Sequence, residues 1–219
     1  MSDLPVGRPV PEWSPPPFPE HTRMVGDHVT INPFGSGAVT DLWEAFSQDD
    51  GSMWTYMGYG PFEDRSHLAR TVTSWPESTD PLFFTFDVGG RARGWGSYLR
   101  ITPEAGSIEV GHLAYAPSLQ RTTAATEAMY LMAERVFSLG YRRYEWKCDA
   151  LNQASRRAAL RLGFTFEGVF RSHMVYKGRN RDTAWFSIVD DEWPGLRARF
   201  QTWLDPSNFD QNGRQRRSL

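Results

Sequence analysis

Between Thr123 and Leu139 the apolar residues Ala125, Ala128, Met129, Met132, Val136 and Leu139 recur three and four positions apart, and Gly140 ends the run. That spacing predicts a helix with one buried stripe and a glycine stop. Before it, Ile108 to Tyr115 reads as a short apolar strand that breaks at Ala116-Pro117-Ser118. Two more runs, Leu82–Val88 and Arg91–Ile101, are separated by Gly89-Gly90, a hairpin signal. Thr102–Gly106 makes a further turn, so three antiparallel strands are expected in sequence. In Arg143–Cys148, charged Arg143, Glu145 and Lys147 alternate with Tyr144, Trp146 and Cys148, which predicts a strand with one buried face and makes Cys148 a packed thiol.

Weaker patterns fill in the ends. His28–Asn32 is a short strand candidate, Gly35-Ser36-Gly37 leads into a helix over Ala38–Phe46, and a second helix is expected around Arg65–Trp75. Between those helices, residues 49–62 carry too many glycines and aromatics for a helix and read as a loop holding Trp54, Tyr56, Met57, Tyr59 and Phe62. Asn152 caps a helix running to Leu162, and Phe164–Tyr176 and Asp182–Val189 form two last strands around Lys177-Gly178-Arg179-Asn180. Mixed strands and helices in this order place the chain in the α/β class. A strand ending in a small-residue loop before a helix N-terminus also presents unpaired N–H groups and a positive dipole end, which suits an anion and most often a phosphate.

Composition narrows the function classes. With 219 residues, 40% of them hydrophobic, one sizeable core is expected, flanked by tails. A net charge of −2 gives no pull toward nucleic acid or anionic membranes, because displacing counterions needs clustered Lys and Arg. The single cysteine excludes an intrachain disulfide, no signal-peptide pattern opens the chain, and no apolar run is long enough to span a bilayer, so a reducing, cytoplasmic setting is expected. Seven of the fifteen prolines fall in the first nineteen residues, which makes residues 1–22 an extended arm. Whether that arm is a mobile tail or drapes over a partner subunit in a homodimer stays open. Residues 206–219 read as a solvated polar tail.

With this order in place, Gln120-Arg121-Thr122-Thr123-Ala124-Ala125 resembles the acyl-CoA pyrophosphate loop of the GCN5-related N-acetyltransferases (the GNAT superfamily), Gln/Arg-x-x-Gly-x-Gly/Ala. Together with Ile108-Glu109-Val110-Gly111, Asn152-Gln153-Ala154-Ser155-Arg156-Arg157, Leu162-Gly163-Phe164 and Phe166-Glu167-Gly168, the run is similar to the RimJ/RimL-like branch. The resemblance implies a mostly antiparallel central sheet of about seven strands, splayed between the fourth and fifth, with about four helices, in a domain over residues 23–205. It also implies transfer of an acetyl or other short acyl group from acyl-CoA to a primary amine of a small molecule or a peptide N-terminus, with no metal. A non-catalytic acyl-CoA sensor or interaction module on the same fold is the alternative.

The donor site implied is the backbone of Gln120, Arg121, Thr122, Thr123, Ala124 and Ala125, with Asn152 and Ser155 near the pantetheine end. One departure stands out: Thr123 occupies the place of the loop's first glycine, where either its hydroxyl and that of Thr122 add donors or Thr123 is merely the helix N-cap. For the oxyanion, the resemblance implies a backbone N–H near Gly111–Leu113, at an interruption in strand pairing. Three residues compete as the base that accepts the amine proton: Glu109, His112 and, on a late strand, His173. Glu109 and His112 are an odd number of positions apart, so regular alternation puts them on opposite faces, and only a bulge brings them together. A glutamate that some relatives use as base aligns with Met174. Ser155 is read as a hydrogen-bond donor to the thiolate leaving group. Trp54, Tyr56, Met57 and Tyr59, with His173, are candidates for an acceptor-pocket wall, and a hydrophobic plug is the other reading of that loop.

Overall fold

Eight strands share one sheet in the computed structural model, which describes residues 4–219. In chain order they are β1 (Met24–Val25), β2 (Thr30–Pro33), β3 (Leu82–Val88), β4 (Arg91–Thr102), β5 (Ser107–Tyr115), β6 (Arg143–Asp149), β7 (Thr165–Tyr176) and β8 (Arg179–Val189). Five α-helices accompany them: α1 (Val39–Phe46), α2 (Arg65–Thr71), α3 (Thr123–Ser138), α4 (Gln153–Arg161) and α5 (Trp193–Leu204). Spatially the order is β1-β2-β3-β4-β5-β6-β8-β7, and every neighbouring pair is antiparallel except β5–β6. That parallel pair holds only from Ser107↔Arg143 to Val110↔Trp146. Beyond Val110 the strands part, so the splay expected between the fourth and fifth predicted strands is present as an open fork.

Alternation along the strands divides the core between two faces. On β3, Leu82, Phe84 and Phe86 join Ile108, Val110, Tyr98, Tyr144 and Trp146 beneath α3 and α5, while Phe83 joins Trp95, Leu42, Trp54, Leu68 and Trp75 beneath α1 and α2. Helices therefore cover both faces.

Several boundaries differ from the sequence expectation for identifiable reasons. The strand sought at His28 starts at Thr30, because the N–H groups of Asp27, His28 and Val29 are all taken by the carboxylate of Glu127 on α3 (2.7–2.9 Å). Helix α2 stops at Thr71 rather than reaching Trp75, whose ring instead lies flat on Phe83 at 3.8 Å. The last hairpin closes at Lys177-Gly178, both at positive φ (48° and 70°), so β8 begins at Arg179 and not at Asp182. Such a two-residue turn matches the twist of the flanking strands. The fifth helix and the short β1 were missed, although Trp193, Leu196, Phe200 and Trp203 already have helical spacing. Pro194 sits in α5's first turn, where its missing N–H is harmless.

The ends are not loose. Pro16 and Pro19 are buried, and His21 Nε2 lies 2.6 Å from the Phe83 carbonyl oxygen, so the described part of the arm lies on its own domain; its first three residues fall outside the described ones. The tail was expected to be solvated, and residues 211–218 are exposed, but Asn208 is buried: its Nδ2 donates to the Trp203 and Arg217 carbonyls, and its Oδ1 accepts from Arg217 N–H. Among the described residues no helix is long and apolar enough to cross a membrane.

Candidate active site

The fork owes its shape to a β-bulge. Pairing jumps from Trp95↔Ala114 to Ser97↔Gly111, leaving one residue on β4, Gly96, against two on β5, His112 and Leu113, and His112 takes φ 53°. The extra residue reverses the alternation. Ile108, Val110, Leu113 and Tyr115 pack on the α3 side, while Ala114 and the His112 ring lie on the side of Phe83 and Trp75, which is also the side of Glu109. The bulge that the spacing of Glu109 and His112 required is present. Gly111 is constrained as well, since a Cβ there would stand 2.9 Å from Leu99 Cδ2. Among the described residues no strand pairs with 111–115 on the β6 side, so the backbone groups along that edge of β5, from Gly111 through Leu113, are open.

At the start of α3 the cap is Thr122, not Thr123. Its Oγ1 accepts from Ala125 N–H (3.1 Å) and donates to the Leu119 carbonyl (2.7 Å), so neither the Thr122 hydroxyl nor the Ala125 N–H is left for a ligand. Gln120 is exposed but tied to its own loop, with its N–H on Ala116 O and its side-chain amide on Tyr115 O. Arg121 has φ 60°. Among the described residues the backbone N–H groups of Arg121, Thr123 and Ala124 have no partner. Thr123 is the first helical residue, a conformation in which a β-branched side chain is unstrained, so replacing glycine there leaves the donors in place.

Helix α4 begins at the tip of β6. Asn152 Oδ1 caps it by accepting from Ser155 N–H (3.0 Å). Ser155 Oγ accepts from Trp146 Nε1 (3.0 Å). An indole N–H only donates, so the Trp146 bond does not use the Ser155 hydroxyl hydrogen, for which the Cys148 sulfur is the competing partner. Burial pushes the nearby Cys148 thiol upward, with Ser155 partly opposing it, as expected of a packed cysteine.

A charge cluster stands beside the fork. Glu109 Oε2 meets Lys147 Nζ at 2.8 Å and Arg100 Nη1 at 2.9 Å, and Lys147 also reaches Glu145 Oε2 at 2.7 Å. The Lys147 side chain is only 6% exposed, with its ammonium 3.8 Å from the centre of the Trp185 ring. The alternation that suggested a solvent face for Lys147 is correct in parity but wrong in environment, because Trp185 of β8 covers that face. Burial raises the Glu109 carboxyl, opposed by Lys147 and then Arg100. Burial also works against Glu145, but hydrogen bonds from Arg143 and Lys147 prevail and hold it below its usual range. Among the described residues Glu109 Oε1 takes no hydrogen bond, and it lies on the side of Gly111.

The aromatic loop divides. Trp54 is buried in the α1–α2 cluster with Met57 packed against it, so these two belong to a plug. Tyr56 donates to Leu151 O (3.3 Å), and Tyr59 lies 3.2 Å from His112 Nδ1 and stacks on its ring. Lys177, at the β7–β8 turn, ties the loop down by donating to the carbonyls of Trp54 and Tyr59. His173 sits apart, against Thr183 Oγ1 (2.9 Å), Phe170 and Trp185, and no hydrogen bond links it to Glu109 or His112.

A sheet forked between β5 and β6, a bulge at the fork and a helix start offering N–H groups without a partner among the described residues set the frame for comparison. The family model described as "Acetyltransferase (GNAT) domain" matches residues 28–165. The chain belongs to the GNAT acetyltransferase family. It is similar to the solved GCN5-related N-acetyltransferase from Brucella melitensis, with 42% identity over 95% of this chain and 97% of that one and a TM-score of 0.93. It is also similar to a probable GNAT-family acetyltransferase from Chromobacterium violaceum, with 35% identity, 89% and 99% coverage and a TM-score of 0.81. Mycobacterium smegmatis RimJ in complex with CoA-disulfide, at 18% identity, 80% and 88% coverage and a TM-score of 0.67, shares the fold. No curated protein matches the chain.

Within this GNAT domain, the sequence reading missed Lys147, Arg100 and the indole of Trp95, whose Nε1 donates to the Tyr59 hydroxyl (3.3 Å). A lysine between two buried strand positions, Trp146 and Cys148, was the available signal for the first. Nothing local announced the other two.

Proposed function

We propose that this GNAT protein moves an acetyl or other short acyl group from acyl-CoA to a primary amine of a small molecule or a peptide N-terminus. The observation that carries the reading is the fork itself, with Glu109 Oε1 free at its mouth and three unpartnered N–H groups at the start of α3. RimJ's complex with CoA-disulfide supports coenzyme A as the donor's carrier. The N–H groups of Arg121, Thr123 and Ala124, backed by the α3 dipole, suit a pyrophosphate.

In the reaction the amine nitrogen bonds to the thioester carbon through a tetrahedral intermediate, and the carbon–sulfur bond then breaks. Glu109 Oε1 accepts the proton that the amine loses, directly or through one water. Its burial raises its pKa and makes it a stronger base than an exposed carboxylate, with Lys147 and then Arg100 opposing that rise. Backbone N–H groups exposed near Gly111–Leu113 hold the developing oxyanion. The Ser155 hydroxyl donates a hydrogen bond to the departing thiolate.

Thermal stabilisation by acetyl-CoA, followed by thiol release with a panel of peptides, polyamines and amino sugars, tests the reading. Stabilisation and turnover with at least one amine are expected. Absence of stabilisation overturns it, and stabilisation without turnover across a broad panel assigns the fold to a non-catalytic binder instead.

A further inference from the structure

Building on that acyltransferase reading, we infer that His112 acts as a neutral hydrogen-bond donor through Nε2–H, its tautomer set by Tyr59 and Trp95, and recognises an oxygen next to the acceptor's amine.

The argument follows the direction of the hydrogen bonds. Trp95 Nε1–H has no lone pair to offer, so at 3.3 Å the Tyr59 oxygen is the acceptor. The phenol hydrogen is then free to point at His112 Nδ1, 3.2 Å away. A neutral imidazole that accepts at Nδ1 carries its proton on Nε2. The reverse arrangement, with Nδ1–H donating to Tyr59, leaves the phenol hydrogen with nothing to bond to in a nest of Trp54, Phe62, Trp75 and Trp95, which is a costly state for a buried hydroxyl. A third arrangement, the imidazolium, is opposed by burial and by Arg100, which depress the His112 pKa to about 4. The charged and titratable groups around this ring are Arg100, Tyr59 and, on the same face, Glu109. Phe83 and Trp75 supply the remaining walls.

Nε2 itself has no hydrogen-bond partner among the described residues, yet it is not among their sealed-off polar atoms, so it opens to the surface. The bulge turns it to the face shared with Glu109, where the incoming amine must stand. A donor there, beside a base, selects amines bearing a carbonyl or hydroxyl oxygen on the adjoining carbon over plain alkylamines. His112 is therefore a contact residue for the acceptor, and Tyr59 a positioning residue acting through it.

Two measurements test this. Long-range proton–nitrogen spectra of the imidazole-labelled protein at pH 7, without substrate, are expected to show His112 protonated on Nε2 and bare on Nδ1, and Tyr59→Phe is expected to release it into a mixture of tautomers. An Nδ1–H tautomer or an imidazolium in the wild type overturns the assignment, and an unchanged spectrum in Tyr59→Phe removes Tyr59 from the role. Because this readout needs no turnover, it stands apart from the fate of the acyltransferase reading. In kinetics, glycinamide and ethanolamine are compared with ethylamine. His112→Phe is expected to raise KM for the oxygen-bearing amines about five- to tenfold, with KM for acetyl-CoA unchanged, while His112→Gln, which keeps an N–H, recovers part of the loss. Equal losses in both variants, or loss of the rising limb of the kcat/KM profile with pH in His112→Gln, would assign His112 to proton transfer and overturn the proposal.

Discussion

Lys147 Nζ lies 2.8 Å from Glu109 Oε2, and the two side chains are 6% and 5% exposed. Neither partner tolerates the loss of the other, because a buried charge without its counterion retains its desolvation cost and loses the attraction that offset it. Lys147 also holds Glu145, so one ammonium organises two carboxylates at the fork.

Lys147→Met is accordingly expected to destabilise the domain by about 3 kcal/mol at neutral pH. The sign with pH follows from Glu109, whose carboxyl is already raised by burial and rises further without Lys147. The folded state then binds more protons than the unfolded one, so the variant's stability deficit grows as pH climbs above the ordinary carboxylate range. Denaturant midpoints from pH 4 to 8 check this, and a deficit independent of pH would show that Glu109 does not respond to Lys147.

His112 titrates in the opposite sense. Its folded pKa of about 4 lies below the ordinary histidine value, so the unfolded chain binds the extra proton between the two. Stability from this group is fully present above the unfolded value and is lost as pH falls toward the folded one. In His112→Phe the decline between about pH 6.5 and 4 is expected to shrink by on the order of 2 kcal/mol, read from thermal unfolding compared with wild type. Parallel curves would mean that His112 is not buried neutral.

Glu127 is the buried anchor of the β1–β2 turn, accepting from three successive N–H groups, and a Cβ at Gly26 would run into its carboxylate. Glu127→Ala is expected to cost about 3 kcal/mol, Glu127→Gln less, and Gly26→Ala an amount closer to the former. Urea unfolding measures all three, and a loss in Glu127→Ala within experimental error of zero would sink the assignment.

Ser155→Ala removes both the donor proposed for the thiolate and the acceptor of the buried Trp146 indole. The rate is expected to drop about tenfold with acetyl-CoA affinity nearly unchanged, and stability to fall by about 1 kcal/mol. Stopped-time thiol release and calorimetric titration separate these effects. An unchanged rate alongside lost stability would leave Ser155 a structural residue.

Much of this was legible in the chain. The period of Ala125 to Leu139, the Gly89-Gly90 turn and the cap at Asn152 each depend on neighbours a few residues away, and local sterics and hydrogen bonding decide them. The family motifs then arranged these elements into a forked sheet. Errors gathered where a distant group overruled the local one: Glu127 took the N–H groups of the expected strand at His28, and Phe83 drew Trp75 out of its helix.

By itself, the sequence determined the order of the elements from β2 to β8, the helix start at Thr123 and the pairing problem between Glu109 and His112. Only the tertiary structure decided that a bulge solves that problem, that Thr122 rather than Thr123 caps α3, and that Lys147 is buried rather than wet. The physical reason is one of range: periodicity tells which face a residue takes, but burial and hydrogen-bond partners come from elements far away in the chain, and those shift the Glu109 carboxyl up and the His112 imidazole down.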